Sequence, residues 1–523
     1  MIADLRALEP PQLESFTNSL VEQVVAAVTD KIPHLESSLA VAELTVALHY
    51  VLNTPEDVLV WDVGHQGYIH KALTGRMEEL VNMRKPGGLS GFLKRDESPY
   101  DFFGAGHAST SISALAGVCL ADQVSGKSRQ RVAVIGDGSL TGGQSFEALN
   151  HLGSLGADAL VIINDNEGSI DATIGALHHQ QSYGTYVQSL GWQYTFLEQG
   201  NDVRALVEAL QHVLAQPGPQ TLHIKTKRPD LSPPKSYKPG TTFQWWAAET
   251  MGVVLAKNLD IQLLSPAMFA GSGFGPLREL YPNRLIDTGI NEAHTVSTAA
   301  GIVAAGGKAW VHIYSTFLQR AFDQLIHDVA LQHLPVVFLV DRAGVVGSDG
   351  PTHHGVFDGD FLINIPGATV WNPRNGNELQ GMLLEAAART LEGPLFIRYP
   401  KSRTEGGTPK DFVAYEWLQK SEGPSLWLST GALSDLIKKG QNHLHLGQNW
   451  PFSADFSSIL SNFEEIHVFE ESTGFGGLAG AVSALMAELD HPGKCITHKL
   501  PLEFIEHGPR LELLREHGFN NFL

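Results

Sequence analysis

Four apolar runs that end in glycine or polar residues predict an α/β protein. They are RVAVIGDG (131–138), ALVIINDN (159–166), PVVFLVDRAG (335–344) and PSLWLSTG (424–431). Such runs are typical of parallel strands that are buried on both faces of a sheet. Phe146, Leu149 and Leu152 recur at helical spacing between the first two runs. This part of the chain is therefore predicted to form a strand, a helix and a second strand.

Two polar stretches divide the chain into three predicted domains. RPDLSPPKSYKPGTTF (228–243) is rich in proline, serine and lysine, and PKSRTEGGTPKDF (400–412) is also polar. A length of 523 residues likewise favours about three domains. The expected fold class is α/β, with three domains of parallel-type sheets flanked by helices. The predicted boundaries are 1–230 for the first domain, 231–243 for a linker, 244–405 for the second domain and 415–523 for a smaller third domain.

Composition limits the location and the partners of the protein. The chain has 36 Lys+Arg against 56 Asp+Glu, and the net charge of −20 opposes binding to nucleic acid or anionic membranes. Cys119 and Cys495 are its two cysteines, so a disulfide framework is not expected and a reducing compartment fits. The N-terminus lacks the basic and apolar regions of a signal peptide, and no run of 18 apolar residues occurs. We expect a soluble, unprocessed, cytoplasmic protein.

Polar residues stand at the ends of two neighbouring predicted strands. Asp137 follows the first strand in GDGS, and Asn166 ends the second in NDN. A carboxylate and an amide oxygen suit a hard divalent cation such as Mg²⁺, and a backbone carbonyl can add a third ligand. The glycines let the backbone approach a phosphate, towards which the following helix N-terminus also points. GDG alone is equally compatible with a simple strand-to-helix turn, but the NDN end favours a diphosphate and metal site.

GDG followed downstream by a terminal asparagine resembles the thiamine-diphosphate signature of the transketolase superfamily. Further segments resemble the 1-deoxy-D-xylulose-5-phosphate synthase family, and they keep that family's order along nearly the whole chain. These segments are 34–71, AGHASTSIS (105–113), GINEAHTVSTAAG (289–301), 312–330, DRAGVVGSDGPTHHGVFD (341–358), IRYPKS (397–402) and FIEHGPRLELL (504–514).

This resemblance implies thiamine diphosphate and Mg²⁺ as cofactors, and a homodimer. The implied reaction removes carbon dioxide from pyruvate and joins the remaining two-carbon unit to the aldehyde carbon of glyceraldehyde 3-phosphate. The product would be 1-deoxy-D-xylulose 5-phosphate, a precursor for isoprenoids. No nucleic acid and no membrane would take part.

The resemblance also assigns cofactor contacts to matched positions. Asp137, Asn166 and the carbonyl of Gly168 would hold the metal. Glu292 in GINEAHT would promote the imino tautomer of the aminopyrimidine ring, which requires one carboxyl group. A surface position for Glu292 and a core position for Phe317 are the alternatives. The other cofactor-binding positions implied are His65, Gly106, His107, Ala108, Gly138, Ser139 and Phe317.

The resemblance assigns catalytic roles to Glu292, to His65 and to three further residues. His34, His353 and Tyr314 match residues around the substrate, where imidazole groups can transfer protons. A purely structural role for a histidine is the alternative. The neighbouring His354 does not match the family's histidine and is expected to be a bystander.

The acceptor phosphate is expected to meet arginine side chains. Arg342 in DRAG and Arg398 in RYP correspond to the family's phosphate clamp, with Arg320 nearby, and guanidinium groups bind phosphate in a bidentate manner. Asp349 in GSDG completes the matched pocket together with His353 and Tyr314, by orienting the histidine. For Arg320, a structural ion pair is also compatible with the sequence.

Two departures from the family leave other functions open. Asn201 stands where the family has the histidine of a GHD triplet, and asparagine cannot carry a proton at neutral pH. The segment between Leu177 and Gly200 is shorter than in the family, where a long mobile segment follows. Whether Tyr237 contacts the cofactor is left open. The chain is also shortened around 430–460.

Two alternatives therefore stand beside the synthase. The first is a related acyloin-forming or decarboxylating enzyme that takes a different 2-oxo acid or aldehyde. The second is a catalytically idle paralogue kept for binding or regulation. The presence of Glu292, Asp137 and Asn166 argues against the idle paralogue.

Overall fold

The chain forms two compact units, one made mainly of its first half. The first unit comprises Met1–Pro234 with Gly289–Asn291, and the second comprises Lys235–Thr288 with Glu292–Leu523. Gly168, Tyr237 and most of the predicted linker lie outside the described residues. The structure is a computed structural model that describes residues 1–28, 33–166, 173–179, 182–229, 239–437 and 442–523.

The first unit is built, within its described residues, on a five-stranded parallel sheet. The strands lie in the order β1-β2-β3-β5-β4, and every pair is parallel. The two strands predicted around GDG and NDN are β2 and β3. They are neighbours in the sheet, with Gly136 opposite Asn164, so their polar carboxyl ends lie side by side. The strands are β1 (Val58–Trp61), β2 (Arg131–Gly136), β3 (Ala159–Asp165), β4 (Gln193–Leu197) and β5 (Pro219–Lys225).

Helices cover both faces of this sheet. Val132 and Val134 of β2 belong to a core on one face, and the alternate residues Ala133 and Ile135 belong to a core on the other. This alternation explains why the strand is apolar throughout. The helices are α1 (Ile2–Arg6), α2 (Leu13–Ala27), α3 (Leu35–Leu39), α4 (Ala42–Val51), α5 (Tyr68–Lys71), α6 (Ser111–Ser125), α7 (Asp137–Leu140), α8 (Gly143–Leu155), α9 (Ala176–His179), α10 (Tyr183–Ser189) and α11 (Val203–Leu214).

The described residues of the second unit form two sheets. The first has the order β15-β10-β11-β9-β8-β6-β7, and the second has the order β12-β14-β13-β16-β17. The predicted strands at 335–344 and 424–431 are β9 and β13. The strands are β6 (Ile261–Ser265), β7 (Leu285–Asp287), β8 (Lys308–Tyr314), β9 (Val337–Asp341), β10 (Thr369–Trp371), β11 (Leu395–Tyr399), β12 (Tyr415–Gln419), β13 (Ser425–Thr430), β14 (Asn442–Leu446), β15 (Gln448–Trp450), β16 (Glu465–Glu470) and β17 (Lys494–Lys499).

Parallel pairs dominate both sheets, and each carries one antiparallel strand at an edge. In the first, β15 runs antiparallel to β10; in the second, β12 runs antiparallel to β14. The predicted α/β fold class, with parallel-type sheets flanked by helices, is therefore confirmed. The helices of this unit are α12 (Phe243–Lys257), α13 (Gly275–Leu280), α14 (Glu292–Ala304), α15 (Ser315–Leu318), α16 (Phe322–Gln324), α17 (Asp358–Leu362), α18 (Gly376–Ala388), α19 (Leu433–Leu436), α20 (Phe456–Leu460), α21 (Leu478–Glu488) and α22 (Arg510–Leu514).

None of the helices in the described part of the chain combines the length and the apolar character that crossing a membrane requires.

Candidate active site

Two acidic side chains lie close together at the carboxyl ends of β2 and β3. Asp137, which begins α7, is 1 % exposed, and its carboxylate lies near that of Asp165. Burial, and then the negative charge of Asp165, raise the pKa of Asp137, although a hydrogen bond from Thr173 opposes the shift. Two buried carboxylates in such proximity are stabilised by a cation.

Asn166 supplies a further oxygen at this end of the sheet. Its Oδ1 is buried and has no hydrogen-bond partner among the residues that the structure describes. A buried amide oxygen without a donor is costly unless another group completes it. Carboxylate and amide oxygens are the donors that a divalent cation such as Mg²⁺ takes, so these residues fit the metal that the family resemblance implies.

Two residues near this group were not singled out from the sequence. Asp165, Asp137 and His178 each place a ligand atom within 4.8 Å of the others. Asp165 belongs to the same NDN triplet, so its spacing was available as a signal. The sequence gave no such signal for His178, because its position depends on the path of α9 relative to the sheet.

Two successive polar contacts hold the carboxylate of Asp165 in position. Nε2 of His223 lies 3.2 Å from Oδ2 of Asp165, and Nδ1 of His223 lies 2.8 Å from the hydroxyl of Tyr194. His223 and Tyr194 belong to β5 and β4. Their contacts fix the carboxylate relative to the sheet.

The Gly-His turn predicted to bind the cofactor is held by a buried aspartate. Oδ1 and Oδ2 of Asp62 accept hydrogen bonds from the backbone amides of Ser109 and Ser111, at 2.8 and 3.1 Å. Gly106 has a φ of +139°, a value that glycine adopts readily. In the same turn Ala108 is buried and His107 is partly exposed.

The turn is also bonded to the segment that follows β2. Oγ of Ser109 donates to the carbonyl of Ser139 at 2.7 Å, and both Gly138 and Ser139 are buried. A Cβ on Gly142 would lie 2.2 Å from Oγ of Ser109, so a larger residue would force the two segments apart. Diphosphate binding by these residues stays a prediction.

His34 and His65 lie together in the first unit. Their ring centroids are 5.6 Å apart, and His34 has a φ of 70° directly before α3. Nδ1 of His65 is buried, and no described residue forms a hydrogen bond with it. Burial, and then the positive charge of Arg228, lower the pKa of His65 to about 4, so its imidazole is neutral at physiological pH. The structure thus places the two predicted catalytic histidines side by side.

Asn201, the departure from the family pattern, joins three segments of the first unit. Its Oδ1 accepts a hydrogen bond from the amide of Lys227 at 2.7 Å, and its Nδ2 donates to Oε2 of Glu43 at 3.0 Å and to the carbonyl of Ala40 at 3.2 Å. The adjacent Asp202 caps α11. A structural role for Asn201 is therefore visible.

Glu292 is the buried acid of the second unit. It begins α14 and is 4 % exposed, so the alternative of a surface glutamate is wrong. Burial raises the pKa of its carboxyl group, and Arg320 opposes this shift with Nη1 3.5 Å from Oε2. The ion pair that the sequence left open for Arg320 is present.

Aromatic rings of the second unit lie around the end of β8. Phe317 is partly exposed, with its ring centroid 6.0 Å from that of Tyr314 and 5.6 Å from that of His353. Nδ1 of His353 lies 2.8 Å from Oγ1 of Thr352. The three predicted residues are thus neighbours, and Phe317 packs partly buried against a core cluster of the second unit.

His354, the neighbour of His353, contacts the backbone of the loop after β9. It is buried, and its Nδ1 accepts a hydrogen bond from the amide of Val346 at 2.9 Å. This bond fixes the loop after β9.

Arg342 follows β9 and turns back towards Tyr314. The carbon of its guanidinium group lies 3.6 Å from the centroid of the Tyr314 ring. Its Nη1 donates to Oγ of Ser272 at 3.0 Å, and its Nη2 donates to the carbonyl of Gly271 at 2.8 Å. The guanidinium group is thus held in place beside the aromatic residues.

Arg398, the second predicted phosphate ligand, is engaged inside the protein. It is 9 % exposed, and its Nε and Nη2 both donate to the carboxylate of Asp358 at 2.7 Å. Its Nη1 donates to Oδ1 of Asn372 at 2.9 Å. Three of the five N–H groups of this guanidinium group are thus engaged by Asp358 and Asn372, and Arg398 also lines a cavity.

Lys401 is a cation that the sequence analysis did not name. It follows β11, its side chain is 42 % exposed, and its Nζ lies 3.2 Å from Oδ2 of Asp349. The expected acceptor residue Asp349 therefore has a lysine beside it. The segment IRYPKS gave no sign of this pairing, because the contact joins residues 52 positions apart in the chain.

Family models match two long parts of the chain. Residues 1–185 match the model described as 1-deoxy-D-xylulose-5-phosphate synthase, and residues 242–406 match the transketolase pyrimidine-binding domain.

Curated relatives match almost the entire chain. A 1-deoxy-D-xylulose-5-phosphate synthase of Methylobacillus flagellatus is 36 % identical over 592 positions, which cover 99 % of this chain and 96 % of the relative. The synthase of Chlorobium luteolum is 37 % identical over 602 positions, covering 99 % and 95 %. Both alignments are longer than the 523 residues of this chain, so the relatives carry segments that it lacks.

Solved transketolase structures also resemble the chain. The transketolase of Leishmania mexicana is 15 % identical, with 97 % of this chain and 95 % of that chain covered and a TM-score of 0.46. The transketolase of Campylobacter jejuni gives 15 % identity, 97 % and 98 % coverage and a TM-score of 0.45.

Proposed function

This chain belongs to the 1-deoxy-D-xylulose-5-phosphate synthase family, and from that premise we propose that it joins pyruvate to glyceraldehyde 3-phosphate with loss of carbon dioxide. The product is 1-deoxy-D-xylulose 5-phosphate. The observation that carries the proposal is the similarity to relatives of that name over 99 % of the chain. The enzyme is a thiamine-diphosphate-dependent transferase of the transketolase type.

Thiamine diphosphate supplies the electron sink that both the decarboxylation and the new carbon–carbon bond require. For its metal we propose Mg²⁺, bound by Asp137 and Asn166, with the carbonyl of Gly168 lying outside the described residues. The unpartnered Oδ1 of Asn166 supports this choice. Gly106, His107, Ala108, Gly138 and Ser139 form the surface proposed for the diphosphate.

Glu292 is proposed to place its carboxyl group against the aminopyrimidine ring. Its raised pKa means that the group stays protonated to a higher pH than an exposed glutamate. A protonated carboxyl group can donate a hydrogen bond to a ring nitrogen of the aminopyrimidine, and Phe317 offers a ring face for stacking.

His34, His65 and His353 are the groups proposed to hold or transfer protons near the substrate. His65 is neutral at physiological pH because burial keeps its pKa near 4, so it can accept a hydrogen bond there. Tyr314 contributes a hydroxyl group to the same reaction.

For the acceptor phosphate we propose Arg342 and Lys401, with Asp349 placing the lysine. Arg320 is proposed to add positive charge while it pairs with Glu292. Arg342 is itself ion-paired with Asp341. Arg398 is proposed to act mainly through its ion pair with Asp358, because three of its five N–H donors are bonded to Asp358 and Asn372.

The working form is proposed to be a cytoplasmic homodimer. Cys119 and Cys495 are both free thiols, as a reducing compartment permits. Neither nucleic acid nor a membrane has a place in the proposed reaction.

The test is product identification by liquid chromatography and mass spectrometry after incubation with pyruvate, glyceraldehyde 3-phosphate, thiamine diphosphate and Mg²⁺. We expect one equivalent of carbon dioxide for each molecule of the five-carbon ketose phosphate. Release of carbon dioxide without this product contradicts the proposal.

A second candidate is carboligation with a different 2-oxo acid or aldehyde. Asn201 favours it, because a group that cannot carry a proton stands in place of the family's histidine. Screening several 2-oxo acids with phosphorylated and non-phosphorylated aldehydes separates the two reactions. A preference for non-phosphorylated acceptors favours this candidate over the first.

A further inference from the structure

A histidine approaches the metal end of the proposed cofactor site from α9. Nδ1 of His178 lies 3.9 Å from Oδ2 of Asp137, and ligand atoms of His178, Asp137 and Asp165 all lie within 4.8 Å of one another. In an octahedral shell with bonds of about 2.1 Å, adjacent ligand atoms lie about 3.0 Å apart and opposite ones about 4.2 Å apart. The observed 3.9 Å is within the about 4.2 Å that two ligand atoms of one such shell can span.

We propose that His178 supplies a nitrogen ligand to the divalent cation that Asp137 and Asn166 bind. This inference rests on the proposed function, which places the cation there. Neither the strand-end pattern nor the family signature includes this residue. An oxygen-only site would favour Mg²⁺, whereas one imidazole ligand shifts the preference towards transition metals such as Co²⁺.

The surroundings of His178 suit this role. Its side chain is 17 % exposed, and its Nδ1 lies 2.9 Å from the hydroxyl of Tyr183, which fixes the plane of the ring. Tyr183 begins α10 and lies against the core of the first unit. Binding of the cation would exchange the contact with Tyr183 for a bond from Nδ1 to the metal.

His178 lies directly after Gly175-Ala176-Leu177, and α10 starts at Tyr183. The short helix α9 ends at His179, and His178 reaches the two aspartates at the carboxyl ends of β2 and β3.

The first test is metal affinity, measured by isothermal titration of MgCl₂ and CoCl₂ into the protein saturated with thiamine diphosphate. In His178→Ala we expect Co²⁺ to bind at least about tenfold more weakly and Mg²⁺ to change less than about threefold. His151→Ala, at an exposed position on α8, is the matched control and should change neither value. An equal loss for both metals, or no loss, overturns the inference.

The second test uses the unaltered sequence, so a folding defect cannot obscure it. Protein labelled with ¹⁵N-histidine is loaded with Mn²⁺ and thiamine diphosphate and measured by pulsed electron paramagnetic resonance. We expect a directly bound ¹⁵N coupling, which is absent from unlabelled protein and from labelled His178→Ala. Bound Mn²⁺ without such a coupling overturns the inference. Failure of Mn²⁺ and thiamine diphosphate to bind at all contradicts the proposed function instead.

Discussion

A carboxyl group that is buried and yet close to a cation can hold a proton at a pH where most glutamates are ionised, and Glu292 has this environment. Replacing it with glutamine removes the titratable proton and keeps the size. We expect Glu292→Gln to lower kcat at least about 100-fold with unchanged secondary structure by circular dichroism. Glu279→Gln, at an exposed site on α13, is the control. Turnover near the unaltered level would contradict the role of Glu292.

Lys401 and Arg398 allow a second test, because one is exposed and the other is paired inside the protein. We expect Lys401→Ala to raise KM for glyceraldehyde 3-phosphate about tenfold or more, with the melting temperature unchanged. Arg398→Ala should instead destabilise the fold by about 3 kcal/mol, because it leaves Asp358 buried without its partner. Steady-state kinetics and thermal unfolding distinguish the two effects. The reverse pattern would restore Arg398 as the phosphate ligand.

Individual residues differ in how far the sequence identifies them. Asp137 and Asn166 could be predicted because both end apolar strands, and strand ends at one sheet edge meet. Glu292 came from the family resemblance, and its burial came only from the structure. His178 and Lys401 could not be predicted, since their positions depend on the path of a short helix and on which neighbouring cation is already paired.

At the scale of elements, a polar cluster joins α18 to β14. Oε2 of Glu378 lies 3.1 Å from Nε2 of His445, whose Nδ1 lies 2.8 Å from Oγ of Ser434. Arg374 and Lys410 also contact the carboxylate of Glu378. Burial acts against ionisation, but the hydrogen bond and charge of His445 outweigh it and lower the pKa of Glu378 to about 2.

This cluster predicts a pH-dependent contribution to stability. A carboxyl group with a depressed pKa in the folded state stabilises the fold above its unfolded pKa of 4.5, and this contribution is lost as the pH falls towards 2. Glu378→Gln should therefore lower the free energy of unfolding by about 3 kcal/mol at pH 7 and by less below pH 4.5. Urea denaturation at pH 7 and pH 4 measures the difference. If the two proteins differ in their free energy of unfolding by the same amount at both pH values, the ionisation of Glu378 is not the cause of the difference.

The sequence predicted the positions of strands far better than it predicted which strands pair with one another in a sheet. β2, β3, β9 and β13 were predicted because each is a long apolar run. β15 has three residues and gives no comparable signal. Its pairing with β10 depends on contacts far along the chain, which a local pattern cannot contain.

At the scale of the whole molecule, one apolar segment is compatible with the proposed homodimer. Phe322, Ile326 and Leu331 are 40 %, 38 % and 67 % exposed within ten positions of the chain. Large exposed apolar side chains so close together are typical of an interaction surface.

We expect sedimentation equilibrium to give about 113 kDa, twice the 56.7 kDa of the chain. The double variant Ile326→Asp with Leu331→Asp should shift the mass towards 56.7 kDa, because two charges cannot be buried without partners. Leu259→Asp, at a position 81 % exposed, should leave the mass unchanged. A dimer that survives the double variant places the interface elsewhere.

The strand β15 has a consequence for how this gene can be recombined. Its residues come after the polar stretch at 400–412, yet Trp450 and Gln448 pair with Val370 and Trp371 of β10. If the gene were joined to that of a homologue within this stretch, β10 would come from this protein and β15 from the homologue. The edge strand of the sheet would then not match its neighbour. We therefore expect the two parts to have been inherited as one block, and productive crossovers to fall elsewhere in the gene.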